Sequence, residues 1–224
     1  MHASEFNVEK FVDIIEKENG TISEVYFVAC GGSLVDLYSS CYFINRESST
    51  MTAEWITSKE FVLTPPKKLG KHSVVIICSH GGNTKETVEA AELGVKEGAF
   101  VITYTHTPGS ACDSEKFHAI VYDLEPETLQ KDRPLGLNYS IINELIHRQE
   151  PEYKLYEEMK DGITKCDAII RNATKKFQNK AWNFAEHYYN APFLYYGIRF
   201  CICTGIRICN LFSSGDAVDG LLLS

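Results

Sequence analysis

The sequence predicts an α/β protein with three layers, in which helices cover both faces of a five-stranded parallel sheet. Short apolar runs such as VYFVAC and SVVIIC alternate with helical patterns, and a glycine-containing loop follows each of these two runs. A short run rich in β-branched and aromatic residues is typical of a strand buried on both faces. Alternation of such strands with helices favours a parallel sheet.

The elements are predicted in chain order from these patterns. Apolar residues at helical spacing predict a helix over residues 5–18, which Asn19-Gly20 ends. Strands are predicted at residues 25–30, 51–55, 73–78, 100–103 and 118–122. Helices are predicted at about 33–44 and 85–96, and mostly helical structure at 134–189. The predicted organisation is an N-terminal helix at 1–20, an α/β domain at 21–150, linker helices at 151–190 and an incomplete second unit at 191–224.

Composition and charge limit the classes of partner. The chain has 224 residues, 44% of them hydrophobic, and a formal net charge of -8. Nucleic acid and anionic membranes attract basic surfaces, so neither is expected as a partner. Neither a signal peptide nor an 18-residue apolar stretch is visible, which predicts a cytoplasmic protein.

The eight cysteines are expected to be reduced thiols rather than a disulfide framework. Cys30 and Cys78 end apolar runs, and Cys41 lies in a helical pattern. Cys201 and Cys203 are two residues apart, but the paired spacing of a zinc site is missing. No metal or other cofactor is therefore expected.

Two polar loops are the candidate binding site. Ligands of parallel sheets bind at the carboxyl ends of the strands, near the point where the strand order reverses. There the chain has a turn after the first strand and a loop between the third strand and its helix. The candidate binding residues are Gly31, Gly32, Ser33, Ser79, His80, Gly81, Gly82, Asn83 and Thr84.

The chemistry of these loops is that of an anion site. Glycine lets the backbone approach a ligand, hydroxyls donate hydrogen bonds, and a helix that begins at the loop offers unpaired N–H groups. Neither of the two common nucleotide-binding fingerprints is present, so a phosphorylated small molecule is the expected ligand. The alternative is that Ser79 and Thr84 only cap a helix and the glycines only turn the chain.

The motifs VACGGS and SHGGNTKETVEAAELG resemble the sugar isomerase (SIS) domain family over about residues 20–195. Within it the chain is most similar to bacterial deglycases of 6-phosphofructose-amino acids and fructoselysine 6-phosphate. The resemblance implies a flavodoxin-like sheet, with a phosphate held by Ser79, Gly82 and Thr84 and a sugar facing residues 31–33. The family's second serine in the loop is Gly81 here, a loss for which His80 or Lys85 could compensate. His80 is also a candidate base, and the alternative role is that of a polar spacer.

The resemblance implies further that the catalytic Glu and His lie in an H-S-G-E-x-x-H-G-P segment of a second SIS domain. The 224 residues contain no such segment, so the catalytic residues are left unknown. A strand is predicted at residues 193–196, and the tail beyond it has no clear period. A truncation or one-base frame shift near Tyr196 is one explanation, and a genuine divergent tail is the other.

Two alternative functions are therefore considered. The first is an enzyme of phosphosugar metabolism, a deglycase or aldose-ketose isomerase acting on a 6-phosphofructose-amino acid or an amino sugar phosphate. The second is a non-catalytic module that binds or senses a sugar phosphate. Self-association into a homo-oligomer is also expected, because half of a two-domain core would expose apolar residues around 193–200.

Overall fold

The computed structural model describes residues 1–188 of the chain. The strands are β1 (Glu24–Ala29), β2 (Thr52–Thr57), β3 (Ser73–Cys78), β4 (Phe100–Thr105) and β5 (His118–Val121). The α-helices are α1 (Val8–Asn19), α2 (Gly32–Glu47), α3 (Ser58–Leu63), α4 (Lys85–Lys96), α5 (Pro134–Gln149) and α6 (Tyr156–Tyr188). Two short 3-10 helices, Ala3–Glu5 and Gln130–Asp132, complete the described part.

The five strands form one parallel sheet in the order β2-β1-β3-β4-β5. This result confirms the predicted fold class. From β1 the chain moves outward to β2, and from β3 it moves the other way to β4. The strand order therefore reverses between β1 and β3, which is where parallel sheets bind their ligands.

Helices cover both faces of the sheet, as the three-layer prediction requires. Every residue of β1, β3 and β4 is buried, because both faces of these central strands are covered. On one face α1, α2 and α5 pack over residues such as Phe27 and Ile76. On the other face α3 and α4 pack over Tyr26 and Val75.

The second strand and the helix after it were the least predictable elements. The predicted strand at 51–55 is shifted to β2, and α3 was not predicted at all. An edge strand is half solvated, so β2 is mostly exposed, with Ala53 as its buried residue, and it lacks the continuous apolar run of the central strands. The side chain of Thr57 caps α3 by accepting from the Glu60 N–H at 3.4 Å, so the Thr-x-x-Glu signal was present in the sequence.

The chain divides into two compact units, Met1–Thr164 and Lys165–Ser224. Of the second unit the structure describes the remainder of α6, up to residue 188. The predicted strand at 193–196, the aberrant tail and Cys201, Cys203 and Cys209 lie outside the described residues. The predicted domain boundaries, cytoplasmic location and self-association stay predictions. Among residues 1–188, no helix is both long and apolar enough to cross a membrane.

The described cysteines are free thiols, as expected. Cys41, Cys78 and Cys112 are buried, whereas Cys30 and Cys166 are partly exposed. Burial raises the pKa of the Cys78 thiol to about 12, and the charge of Asp36 adds a smaller effect in the same direction. These buried thiols therefore stay protonated at neutral pH and pack as small apolar side chains.

Candidate functional site

The 79–84 loop is a tight turn between the end of β3 and the start of α4. Ser79 is buried, and its N–H donates to the Tyr104 carbonyl at 3.0 Å. The Gly82 N–H donates back to the Ser79 carbonyl at 3.0 Å. The Ser79 hydroxyl donates to the Thr84 hydroxyl at 3.3 Å, which brings the two predicted phosphate-binding hydroxyls side by side.

The chain that leaves β4 supports this loop from behind. The Cys112 N–H donates to the Gly82 carbonyl at 2.9 Å, and the Thr105 hydroxyl donates to the His80 carbonyl at 3.0 Å. Asn83 spans the two segments, because its Oδ1 accepts from the Ala111 N–H at 3.0 Å. Asn83, a predicted binding residue, thus also joins the loop to the segment after β4, a role that the sequence did not indicate.

The two glycines of the loop have different surroundings. Gly82 has a φ of +67°, and a Cβ placed on it would lie 2.0 Å from the Ser110 hydroxyl oxygen. A Cβ on Gly81 would meet nothing within 4 Å. Gly82 is therefore required by the packing of the protein itself, whereas Gly81 leaves open space beside the loop.

The amino end of α4 is available to an anion. Thr84 is the N-cap, but its side chain makes no capping hydrogen bond, since it accepts from Ser79 instead. The first N–H groups of any α-helix lack partners within the helix and carry its positive dipole end. Lys85 adds a cation at the first helical position, where it pairs with Glu89 at 3.9 Å. The arrangement has the composition of an anion site.

The 31–33 turn lies on the same edge of the sheet, across the point of strand reversal. Gly31 has a φ of +56° and precedes α2, which begins at Gly32. A Cβ on either glycine would meet nothing within 4 Å, while Ser33 is buried in the first turn of α2. All nine predicted binding residues are thus brought to one edge of the sheet, in two loops that lead into helices on opposite faces.

A line of polar side chains joins the two loops, and the sequence did not indicate it. The His80 ring is hydrogen-bonded through Nδ1 to the Tyr122 hydroxyl, and its Nε2 lies 3.8 Å from Asp36 Oδ2. Burial raises the pKa of the Tyr122 phenol, and the neighbouring Cys78 and the charge of Asp36 add to the effect. The phenol therefore keeps its proton, which fits Nδ1 as the acceptor and Nε2 as the nitrogen that carries a proton towards Asp36.

Arg133, just before α5, is a second residue that the sequence did not single out. Its Nη2 donates to the Glu125 carbonyl at 3.1 Å, and its Nε is buried without a hydrogen-bond partner in the described structure. Its charge lowers the pKa of Tyr122, against the larger raising effect of burial. The glycine-rich motifs do not include Asp36, Tyr122 or Arg133, so only the tertiary structure relates these three residues to the loops.

Metal ligands do not gather in the described residues. Among residues 1–188, no group of three or more His, Cys, Asp or Glu side chains is arranged to hold a metal ion.

Known proteins are similar to this chain in sequence. Residues 22–142 match the family profile of the SIS domain. The chain is 33% identical over 194 residues to the fructosamine deglycase FrlB of Bacillus subtilis, covering 85% of this chain and 59% of that protein. It is 26% identical over 174 residues to the fructoselysine 6-phosphate deglycase of Escherichia coli, covering 78% of this chain and 50% of that protein. The chain thus spans about half to three-fifths of the length of these relatives.

Two crystal structures, both provisionally assigned as phosphosugar isomerases, have a similar fold. One, from Bacillus subtilis, has a TM-score of 0.74 at 31% identity and covers 84% of this chain and 57% of that one. The other, from Salmonella typhimurium, has a TM-score of 0.75 at 31% identity and covers 82% of this chain and 55% of that one. The sequence match and the five-stranded sheet agree, and the chain belongs to the SIS domain family of phosphosugar isomerases and deglycases.

Proposed function

We propose that the 79–84 loop and the 31–33 turn bind a sugar phosphate, with the phosphate at the amino end of α4. The observation that carries this proposal is the pair of hydroxyls, Ser79 and Thr84, held 3.3 Å apart beside a helix end that no side chain caps. Backbone N–H groups at such a helix end attract an anion through their partial charge. The 31–33 turn, on the other side of the strand reversal, is left for the sugar.

The ligand that we propose is a fructosamine 6-phosphate, a 6-phosphofructose joined to the amine of an amino acid. Two relatives support this class, because one is named a fructosamine deglycase and the other a fructoselysine 6-phosphate deglycase. A deglycase separates the amine from the sugar, which requires a positioned proton donor and acceptor. The described residues would anchor the phosphate end of such a substrate during that reaction.

A second candidate is a phosphosugar-binding module without catalysis. It differs from the first in needing no positioned proton donor and acceptor. Both candidates use the same phosphate site, so binding and turnover have to be measured separately.

Calorimetric titration of the purified chain with a fructosamine 6-phosphate tests the shared part of the proposal. The variant S79A/T84A removes both hydroxyls, and we expect its affinity to fall at least about 100-fold, since two hydrogen bonds to a charged group contribute roughly 3–6 kcal/mol together. S114A is the control, because the Ser114 hydroxyl accepts from the Lys116 N–H within its own segment. Unchanged binding by S79A/T84A would refute the assignment of the phosphate site.

Release of free amine from the same compound separates the two candidates. Turnover by the wild-type chain that is lost in S79A/T84A supports the deglycase. Tight binding without any turnover supports the non-catalytic module.

A further inference from the structure

A carboxylate lies between the two loops of the proposed sugar phosphate site. Asp36 is on the second turn of α2, and its Oδ2 is 3.8 Å from Nε2 of His80, which belongs to the 79–84 loop. The Asp36 side chain is 19% exposed and the His80 side chain 39% exposed, so both are accessible to a ligand. Helix α2 packs on one face of the sheet and α4 on the other, so Asp36 and the proposed phosphate position belong to helices on opposite faces.

A carboxylate is unfavourable in a site that holds only a phosphate. Two negative charges in one site repel each other by an amount that grows as they approach and as the site loses water. The charge of Asp36 already acts on its neighbours, since it adds to the raised pKa values of Cys78 and Tyr122 after the larger effect of burial. Arg133, on the far side of Tyr122, is a cation whose effect on the pKa of Tyr122 opposes that of Asp36.

The carboxylate becomes favourable when the ligand carries a positive charge at its other end. The amine of a fructosamine is aliphatic, and aliphatic amines are largely protonated at neutral pH. In such a ligand the phosphate is on C6 and the amine on C1, so the two charges are at opposite ends of the sugar. A phosphate at the α4 end and an ammonium at Asp36 would place each charge beside a group of opposite sign.

We infer that Asp36 binds the protonated amine of the ligand and so makes the site select sugar phosphates that carry an amine over those that do not. This inference rests on the proposed sugar phosphate site. His80 and Tyr122 are positioning residues in this arrangement, since His80 contacts both Asp36 and the Tyr122 hydroxyl. The competing role for Asp36 is to hold His80 in the loop, which would affect all phosphate ligands alike.

Affinities for a matched pair of ligands test the inference. The wild-type chain and D36N are titrated with fructose 6-phosphate and with an N-alkyl fructosamine 6-phosphate. We expect D36N to bind the amine-bearing ligand about tenfold or more weakly than the wild type, because a hydrogen bond between charged groups is lost. Fructose 6-phosphate should bind D36N as tightly as the wild type or more tightly, because a repelling charge is removed. D123N is the matched control, because Asp123 is an exposed carboxylate just after β5. Thermal melting of each variant shows whether it is folded.

A third ligand tests the same point without any substitution. The N-acetylated fructosamine 6-phosphate has a similar shape but no charge on its nitrogen, and we expect the wild-type chain to bind it about tenfold more weakly than the N-alkyl compound. Equal affinity of the wild-type chain for these two compounds would overturn the role of Asp36. An equal loss of affinity by D36N for fructose 6-phosphate and for the N-alkyl compound would overturn it as well. Failure of the wild-type chain to bind even fructose 6-phosphate would instead overturn the proposed function on which the inference rests.

Discussion

The two glycines of the 79–84 loop should respond in opposite ways to the same substitution. G82A places a methyl group where the structure has a φ of +67° and where Ser110 Oγ, Ser110 Cβ and Thr105 Oγ1 lie 2.0, 2.5 and 2.6 Å away. Both of these neighbours are buried, and the Thr105 hydroxyl is held by the His80 carbonyl. G81A places the same methyl group in open space.

The expected cost of G82A follows from these two effects. A left-handed backbone costs an L residue about 1–2 kcal/mol, and an extra methyl group in a packed site costs about 1–3 kcal/mol. Together they predict a loss of about 3 kcal/mol in the free energy of unfolding, or roughly 6–12 °C in melting temperature for a chain of this size. G81A has neither penalty, so its stability should stay within about 1 kcal/mol of the wild type.

Urea unfolding followed by circular dichroism measures both variants against the wild type. Equal stability of G82A and G81A would refute the steric argument. Anion binding then adds a second measurement. If Gly81 is kept open for a ligand, G81A should bind a sugar phosphate more weakly while its stability is unchanged, whereas a glycine that only turns the chain predicts no loss of binding.

Two other substitutions have calculable effects. Burial alone would raise the pKa of the Glu150 carboxyl, but hydrogen bonds from residues 48–50 outweigh it and lower the pKa from 4.5 to about 2. A lowered pKa stabilises the fold fully above pH 4.5, and this stabilisation is lost as the pH falls towards 2. E150Q should therefore lower the free energy of unfolding by up to about 3 kcal/mol at pH 7 and by almost nothing near pH 2. Urea unfolding at a series of pH values measures this difference. The exposed neighbour Glu152 gives the control E152Q, and a constant difference between E150Q and wild type across this range would contradict the assignment. Y122F removes the hydroxyl bonded to His80 Nδ1, so the nitrogen shifts of the His80 ring in NMR spectra should change while stability falls by about 1–2 kcal/mol; unchanged shifts would show that the bond does not exist in solution.

The central strands and the loops after them could be predicted from the sequence because their signals are local. The predicted strand at 73–78 and the helix at 85–96 agree with β3 and α4 at both ends. A strand buried on both faces needs an unbroken apolar run, and a sharp turn into a helix needs glycine and a small polar residue. Edge strand β2 and helix α3 were displaced or missed because solvent on one side weakens the apolar pattern.

The sequence by itself determined the family and the parallel α/β class, and it predicted nine binding residues in two loops, since each of these depends on residues that are neighbours in the chain. Only the tertiary structure decided that His80 contacts both Asp36 and Tyr122, because these residues come from the loop after β3, from α2 and from the residue just after β5. It also decided which loop glycine is required for packing, since Gly82 is limited by Ser110 from a segment beyond β4. Contacts between distant parts of a chain depend on the strand order and the crossing of helices, which no local pattern encodes.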